Sequence, residues 1–70
     1  MKKVVDARGL SCPEPVILTR RVLQEQGIDQ VEVIVDNKTA VENITRTAEN
    51  LGWLVKVQEQ NEEYILIITR

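Results

Sequence analysis

The sequence predicts an α/β two-layer sandwich (α+β) of order β-α-β-α-β-β, in which a four-stranded mixed sheet carries two helices on one face. Three observations predict it. The apolar periodicity switches twice from strand-like alternation to helical spacing and then ends in two strand-like runs. The earlier strand segments have one polar side, as a sheet does when helices cover only its other face. A chain of 70 residues holds one domain and no more.

Each element has its own local reason. Lys2 to Asp6 is a short strand, and Ala7 to Ser11 is a loop marked by Gly9. The first helix is expected from Pro13 to about Gln26, closed by Gly27. Proline suits the first helical position, where its missing N–H leaves no bond unmade, and Pro15 still falls in the first turn. Val16, Ile17, Leu23 and the stem of Arg20 are expected on the buried face. Gln30 to Asp36 is the second strand: Val31, Val33 and Val35 point one way, Glu32 and Asp36 the other, and Ile34 breaks the pattern. The second helix is expected from Thr39 to Leu51, ended by Gly52, with Val41, Ile44, Ala48 and Leu51 at helical spacing. Thr39 and Glu42 have capping-box spacing, with Asn37 as a rival cap. Trp53, Val55 and Val57 alternate with Leu54, Lys56 and Gln58 in a third strand, and Trp53 reads as core. Asn61-Glu62 is a turn, and Tyr64 to Thr69 is the fourth strand. The two βα crossovers should be right-handed, which places both helices on one side.

The last strand is apolar on both faces. The ordinary reading is a well-packed inner strand. The sharper reading is a surface for a second domain or for self-association. The chain stops almost where that strand stops, so residues 1–70 are expected to be a single domain, excised on that reading from a longer two-domain protein.

Composition excludes several function classes. A domain this small buries only ~60% of the surface its unfolded chain exposes, so its core is thin. One cysteine forbids an internal disulfide, and with no histidine a metal site would need carboxylates and one thiolate, a poor zinc set. No metal and no cofactor are therefore expected. A net charge of −2 does not suit a general nucleic-acid binder, and direct nucleic-acid binding is not expected. No apolar run reaches the ~20 residues of a membrane span, and Asp6 and Arg8 interrupt any secretory segment after Val4-Val5. A single unpaired cysteine fits a reducing compartment, so the expected location is cytoplasmic. Without histidine, Cys-His and Ser-His nucleophile pairs are impossible. The three glycines are too far apart for a phosphate-cradling loop.

Cys12 remains. A lone cysteine is ordinarily a small buried hydrophobe. Its position argues otherwise, because it precedes a helix directly and neighbours Pro13. At a helix start the macrodipole and the unpaired N–H groups favour a thiolate. Pro13 and Pro15 donate nothing, which leaves the N–H groups of Glu14 and Val16, while the two rings stiffen the loop. Arg8 would add positive charge if the loop folds back, and the Glu14 carboxylate opposes it. One reactive cysteine cannot resolve into an internal disulfide, so a Cys-x-x-Cys reductase is excluded. A thiol that takes a group, holds it and hands it on is left.

The run Asp6-Ala7-Arg8-Gly9-Leu10-Ser11-Cys12-Pro13-Glu14-Pro15 resembles the TusA/SirA-like sulfur-carrier family. Its signature is an acidic residue, a Gly-Leu pair and then Cys-Pro-x-Pro opening the first helix. Asp6, Gly9, Leu10, Cys12, Pro13 and Pro15 all match, and the likeness covers the whole chain. The family's two-layer fold is similar to the C-terminal domain of a bacterial translation initiation factor. The resemblance implies that Cys12 accepts sulfur as a persulfide from a cysteine desulfurase and relays it to a downstream acceptor. Branches of the family feed tRNA thiolation, molybdenum-cofactor synthesis or sulfur oxidation. The stretch from Val35-Asp36-Asn37 through Glu42-Asn43-Ile44-Thr45-Arg46 to Gly52 looks closest to the N-terminal domain of YedF-like proteins, tied to selenium metabolism. The implied chain is a sulfurtransferase-like carrier, not a stand-alone catalyst.

By residue, Cys12 is the nucleophile and carrier, and Pro13 and Pro15 fix its direction. Gly9 permits the turn or simply breaks the loop. Asp6 braces the loop or is a solvated strand end, and Arg8 steers a partner or favours the thiolate. Leu10 and Glu14 complete the motif. A selenium carrier and a non-catalytic regulatory or interaction module are the alternatives; RNA binding rests on fold analogy alone.

Overall fold

The computed structural model describes residues 2–10 and 14–70. It contains β1 (Lys2–Asp6), α1 (Glu14–Leu23), β2 (Gln30–Val35), α2 (Lys38–Asn50), β3 (Leu54–Gln60) and β4 (Glu63–Thr69). The expected order β-α-β-α-β-β and the four-stranded mixed sheet are both present. The strands lie in the order β1-β2-β4-β3. β1 and β2 are parallel, while β4 is antiparallel to both its neighbours.

The most apolar strand is thus an inner one, and the polar-rich strands β1 and β3 form the edges. Lysines on both edges (Lys2, Lys3 and Lys56) discourage pairing with a further chain. Register explains the core. Val31 faces Ile68 and Val33 faces Leu66, and all four are fully buried. Ala40, Val41, Ile44 and Ala48 of α2, with Leu23 of α1, cover that face. Burying each large aliphatic side chain contributes roughly 1.5–3 kcal/mol. On the opposite face Ile34 stands across from Ile65, and both are half-buried. This cross-strand pair accounts for the residue that broke the alternation of β2.

Several boundaries and faces differ from expectation. α1 ends at Leu23, not near Gln26. The N–H groups of Gln24 and Glu25 reach the carbonyls of Arg21 and Val22, bonds that tighten the turn before Gly27 at φ +82°. The expected start of α1 at Pro13 lies outside the described residues. Ile17 and Arg20 are exposed. At ~100° per residue the buried face centres on Thr19, between Pro15 and Leu23, and Ile17 falls nearly opposite. α2 begins at Lys38, because Asn37 and not Thr39 is its cap. Leu51 is 42% exposed, since the helix stops one residue before it. There the Trp53 N–H reaches the Ala48 carbonyl at 3.0 Å and the Gly52 N–H reaches the Glu49 carbonyl at 3.0 Å. With Gly52 at φ +88°, this is a Schellman closure, and it carries buried Trp53 under the end of α2. Val57 keeps its core-side register opposite Leu66, yet it is 45% exposed because β3 is an edge strand.

Candidate functional site

The parallel pairing of β1 with β2 brings their C-terminal ends to one edge of the sheet. Both helices start from that edge, so both positive dipole ends lie there. Pro15 and Val16 from the first turn of α1 meet Asn37, Ala40 and Asn43 of the α2 start across a small crevice. Open α/β folds place their chemistry at this end of their parallel strands.

The chain leaves β1 through a tight turn. The Ala7 N–H donates to the Ile34 carbonyl at 2.8 Å, extending the ladder by one step, and Ala7 is buried. The Leu10 N–H returns toward the Ala7 carbonyl at 3.4 Å. Gly9 at the third position has φ +77°, the mark of a type II turn. A Cβ at Gly9 would meet no atom within 4 Å, so glycine serves backbone conformation here and not clearance. Leu10 packs against the core and pins the far side of the turn.

Three carboxylates hold this turn. Asp6 Oδ1 accepts the Arg8 backbone N–H at 3.2 Å and Arg8 Nε at 2.9 Å, while Oδ2 accepts Nη2 at 2.8 Å. Arg8 Nη1 donates to Glu63 Oε2 at 3.0 Å, tying the turn to the first residue of β4. Asp36, just past β2, accepts the Gly9 N–H on Oδ2 at 3.0 Å. The side-chain and backbone hydrogen bonds from Arg8, with its charge, hold the Asp6 carboxyl down to about 2. The same contacts with Asp6 and Glu63 push Arg8 further above its ordinary value. Arg8 and Asp6 are about half exposed, so solvent screens the pair and it positions more than it stabilises.

The structure therefore brings Asp6, Arg8, Gly9, Leu10, Glu14 and Pro15 to one edge. Glu14 is exposed at the start of α1, and Pro15 is buried beneath it. The readings made for Cys12 and Pro13, with Ser11, lie outside the described residues. Sequence reasoning missed the parts played by Asp36 and Glu63. Asp36 was legible in principle, as the residue leaving a strand parallel to β1 and therefore at the same edge. Glu63 carried no signal, because its proximity depends on β4 pairing beside β2. Among the described residues no cluster of three Cys, Asp or Glu side chains is arranged to hold a metal ion, and no helix is long and apolar enough to cross a membrane.

Residues 3–70 match the sequence profile of the family described as sulfurtransferase TusA. A protein of Methanocaldococcus jannaschii that carries the name "putative sulfur carrier protein" is 42% identical over all of this chain and 93% of its own length. A protein of Archaeoglobus fulgidus with the same descriptive name is 32% identical over 91% of this chain and 84% of its own. The crystal structure of a SirA-like protein from Desulfitobacterium hafniense superposes with a TM-score of 0.88, at 33% identity, covering 96% of this chain and 95% of that one.

Proposed function

This chain belongs to the sulfurtransferase TusA family, and from that premise we propose that it is a sulfur carrier loaded as a persulfide on Cys12. The observation that carries the reading is the turn at the end of β1. It is locked by Asp6, Glu63 and Asp36 and delivers the chain toward the start of α1, two residues short of the only cysteine. Cys12 is two residues in sequence from both Leu10 and Glu14, and those two stand at the edge where the dipole ends of α1 and α2 meet.

In the transfer step the Cys12 thiolate attacks the outer sulfur of a cysteine desulfurase persulfide. The new S–S bond forms on Cys12 as the old one breaks, and the donor cysteine leaves as a thiolate. The second step repeats this with Cys12 as donor and a downstream protein thiolate as acceptor. No oxidant or reductant is consumed, since the sulfane sulfur moves between equivalent bonds. Among the described residues the crevice at this edge is small, which suits a carrier whose partner completes the site.

Intact-protein mass spectrometry after incubation with a cysteine desulfurase and cysteine tests this. One added sulfur that reductant removes, and that Cys12→Ser lacks, is the expected result. No adduct from several desulfurases while Cys12 still alkylates would point to a selenium donor or a regulatory module. No adduct and an inert Cys12 would overturn the carrier reading.

A further inference from the structure

We propose that Asp36 is a positioning residue for the Cys12 loop, acting through the backbone of Gly9. This rests on the carrier reading above. Asp36 sits between Val35, the fully buried last residue of β2, and Asn37, the cap of α2. Neither neighbour is free to move, so the carboxylate projects from a rigid corner. Its two oxygens divide the work. Oδ2 accepts the Gly9 N–H at 3.0 Å, and Oδ1 faces the Asn37 side-chain amide at 3.4 Å. The other oxygen-bearing end of that amide accepts the Ala40 N–H at 2.8 Å. A continuous chain of polar contacts therefore runs from the first turn of α2, through Asn37 and Asp36, to Gly9.

Gly9 is where such a hold matters. Ala7 is fixed by the sheet ladder and Arg8 by its ion pairs, both on the strand side of the turn. Gly9 is three residues from Cys12, and glycine is the residue whose backbone wanders most readily without a tether. A hydrogen bond to an ionised acceptor is among the stronger ones available to a backbone N–H. Asp36 thus restricts the direction in which the loop leaves the sheet, and sulfur transfer requires the thiolate to meet the outer sulfur of the donor persulfide in line. Misplacement of a reacting group by ~1 Å can cost up to about 10²-fold in rate.

The test compares wild type, Asp36→Ala and Asp36→Asn in three readouts: hydrogen exchange of the Gly9 amide, alkylation of Cys12, and sulfur loading from a desulfurase. Asp36→Ala should lose Gly9 protection and load about tenfold more slowly, with an unfolding midpoint near wild type. Asp36→Asn keeps an acceptor oxygen and should restore most of both. Unchanged Gly9 exchange in Asp36→Ala, unchanged loading, or an Asn variant as slow as Ala would each overturn the proposal. If Asp36→Ala does not fold, Asp36→Leu replaces it, and failure of both to fold would assign Asp36 to the fold and overturn it too. A wild type that never takes up sulfur, while Gly9 protection and Cys12 alkylation still follow Asp36, would sink the carrier reading and leave the positioning role standing.

Discussion

Arg8 and Asp6 are joined by two parallel hydrogen bonds, Nε to Oδ1 at 2.9 Å and Nη2 to Oδ2 at 2.8 Å, with the Arg8 backbone N–H on the same carboxylate at 3.2 Å. The last residue of β1 and the second residue of the turn therefore form one planar, bidentate unit. Glu63 takes the remaining reach of the guanidinium. Arg8 faces two carboxylates at once, so its charge is largely answered before any partner arrives. Its part at this edge is to fasten the turn to both β1 and β4.

The clamp has a defined pH range. The Asp6 carboxyl is held at about 2, below its unfolded value of 3.8. A depressed carboxyl contributes fully above the unfolded value and loses its contribution as pH falls through the folded one. The Arg8–Asp6 contact should therefore persist at pH 4 and open as pH approaches 2. Side-chain carboxyl shifts followed by NMR should give an Asp6 midpoint near 2, returning toward 3.8 in Arg8→Ala. A wild-type midpoint at the ordinary value would show that the clamp does not form in solution.

The β3–β4 hairpin carries avoidable strain. Asn61 and Glu62 have φ of +50° and +65°, and Gln60 pairs with Glu63, which makes a two-residue turn of the I′ kind. Asparagine tolerates that conformation, whereas glutamate pays about 1–2 kcal/mol for it. Glu62→Gly removes the strain and adds ~0.5–1 kcal/mol of unfolded-chain entropy. The net expectation is a variant about 0.5–1 kcal/mol more stable, seen as a higher urea midpoint with an unchanged slope. An equal or lower midpoint would mean that Glu62 makes a compensating contact in solution.

Periodicity carried most of the fold, and its failures are instructive. Val31, Val33, Val35, Ile44 and Ala48 are all buried as their spacing requires. Leu51 obeyed the same spacing and is exposed, because a glycine at φ +88° ends the helix first, and local closure overrides the repeat. Ile17 was read as buried on its chemistry, while the angle around α1 put Thr19 there instead. Two possible caps, Asn37 and Thr39, could not be ranked from spacing, since a capping box and a single strong cap look alike in sequence. At the candidate site, Asp6, Arg8 and Gly9 were visible because they precede Cys12 directly. Asp36 and Glu63 come from 27 and 55 residues away from their partners Gly9 and Arg8, so only the sheet order brings them in.

Asn37 joins stability to the site, and two substitutions separate its roles. Its Oδ1 caps α2 by accepting the Ala40 N–H at 2.8 Å, and its Nδ2 faces Asp36. Asn37→Ala removes both, and should cost ~1 kcal/mol in urea unfolding through the lost cap. Asn37→Ser keeps a good capping oxygen but has no amide donor, so its stability should stay within about 0.5 kcal/mol of wild type. If Nδ2 orients the Asp36 carboxylate, both variants should exchange the Gly9 amide faster than wild type does. The serine variant is the decisive one, because its helix remains capped while the link to Asp36 is cut. Serine with wild-type exchange would mean that Asp36 holds Gly9 without help from Asn37. Serine as unstable as alanine would mean that the cap is not what Asn37 contributes, and the polar chain from α2 to the turn would have to be redrawn.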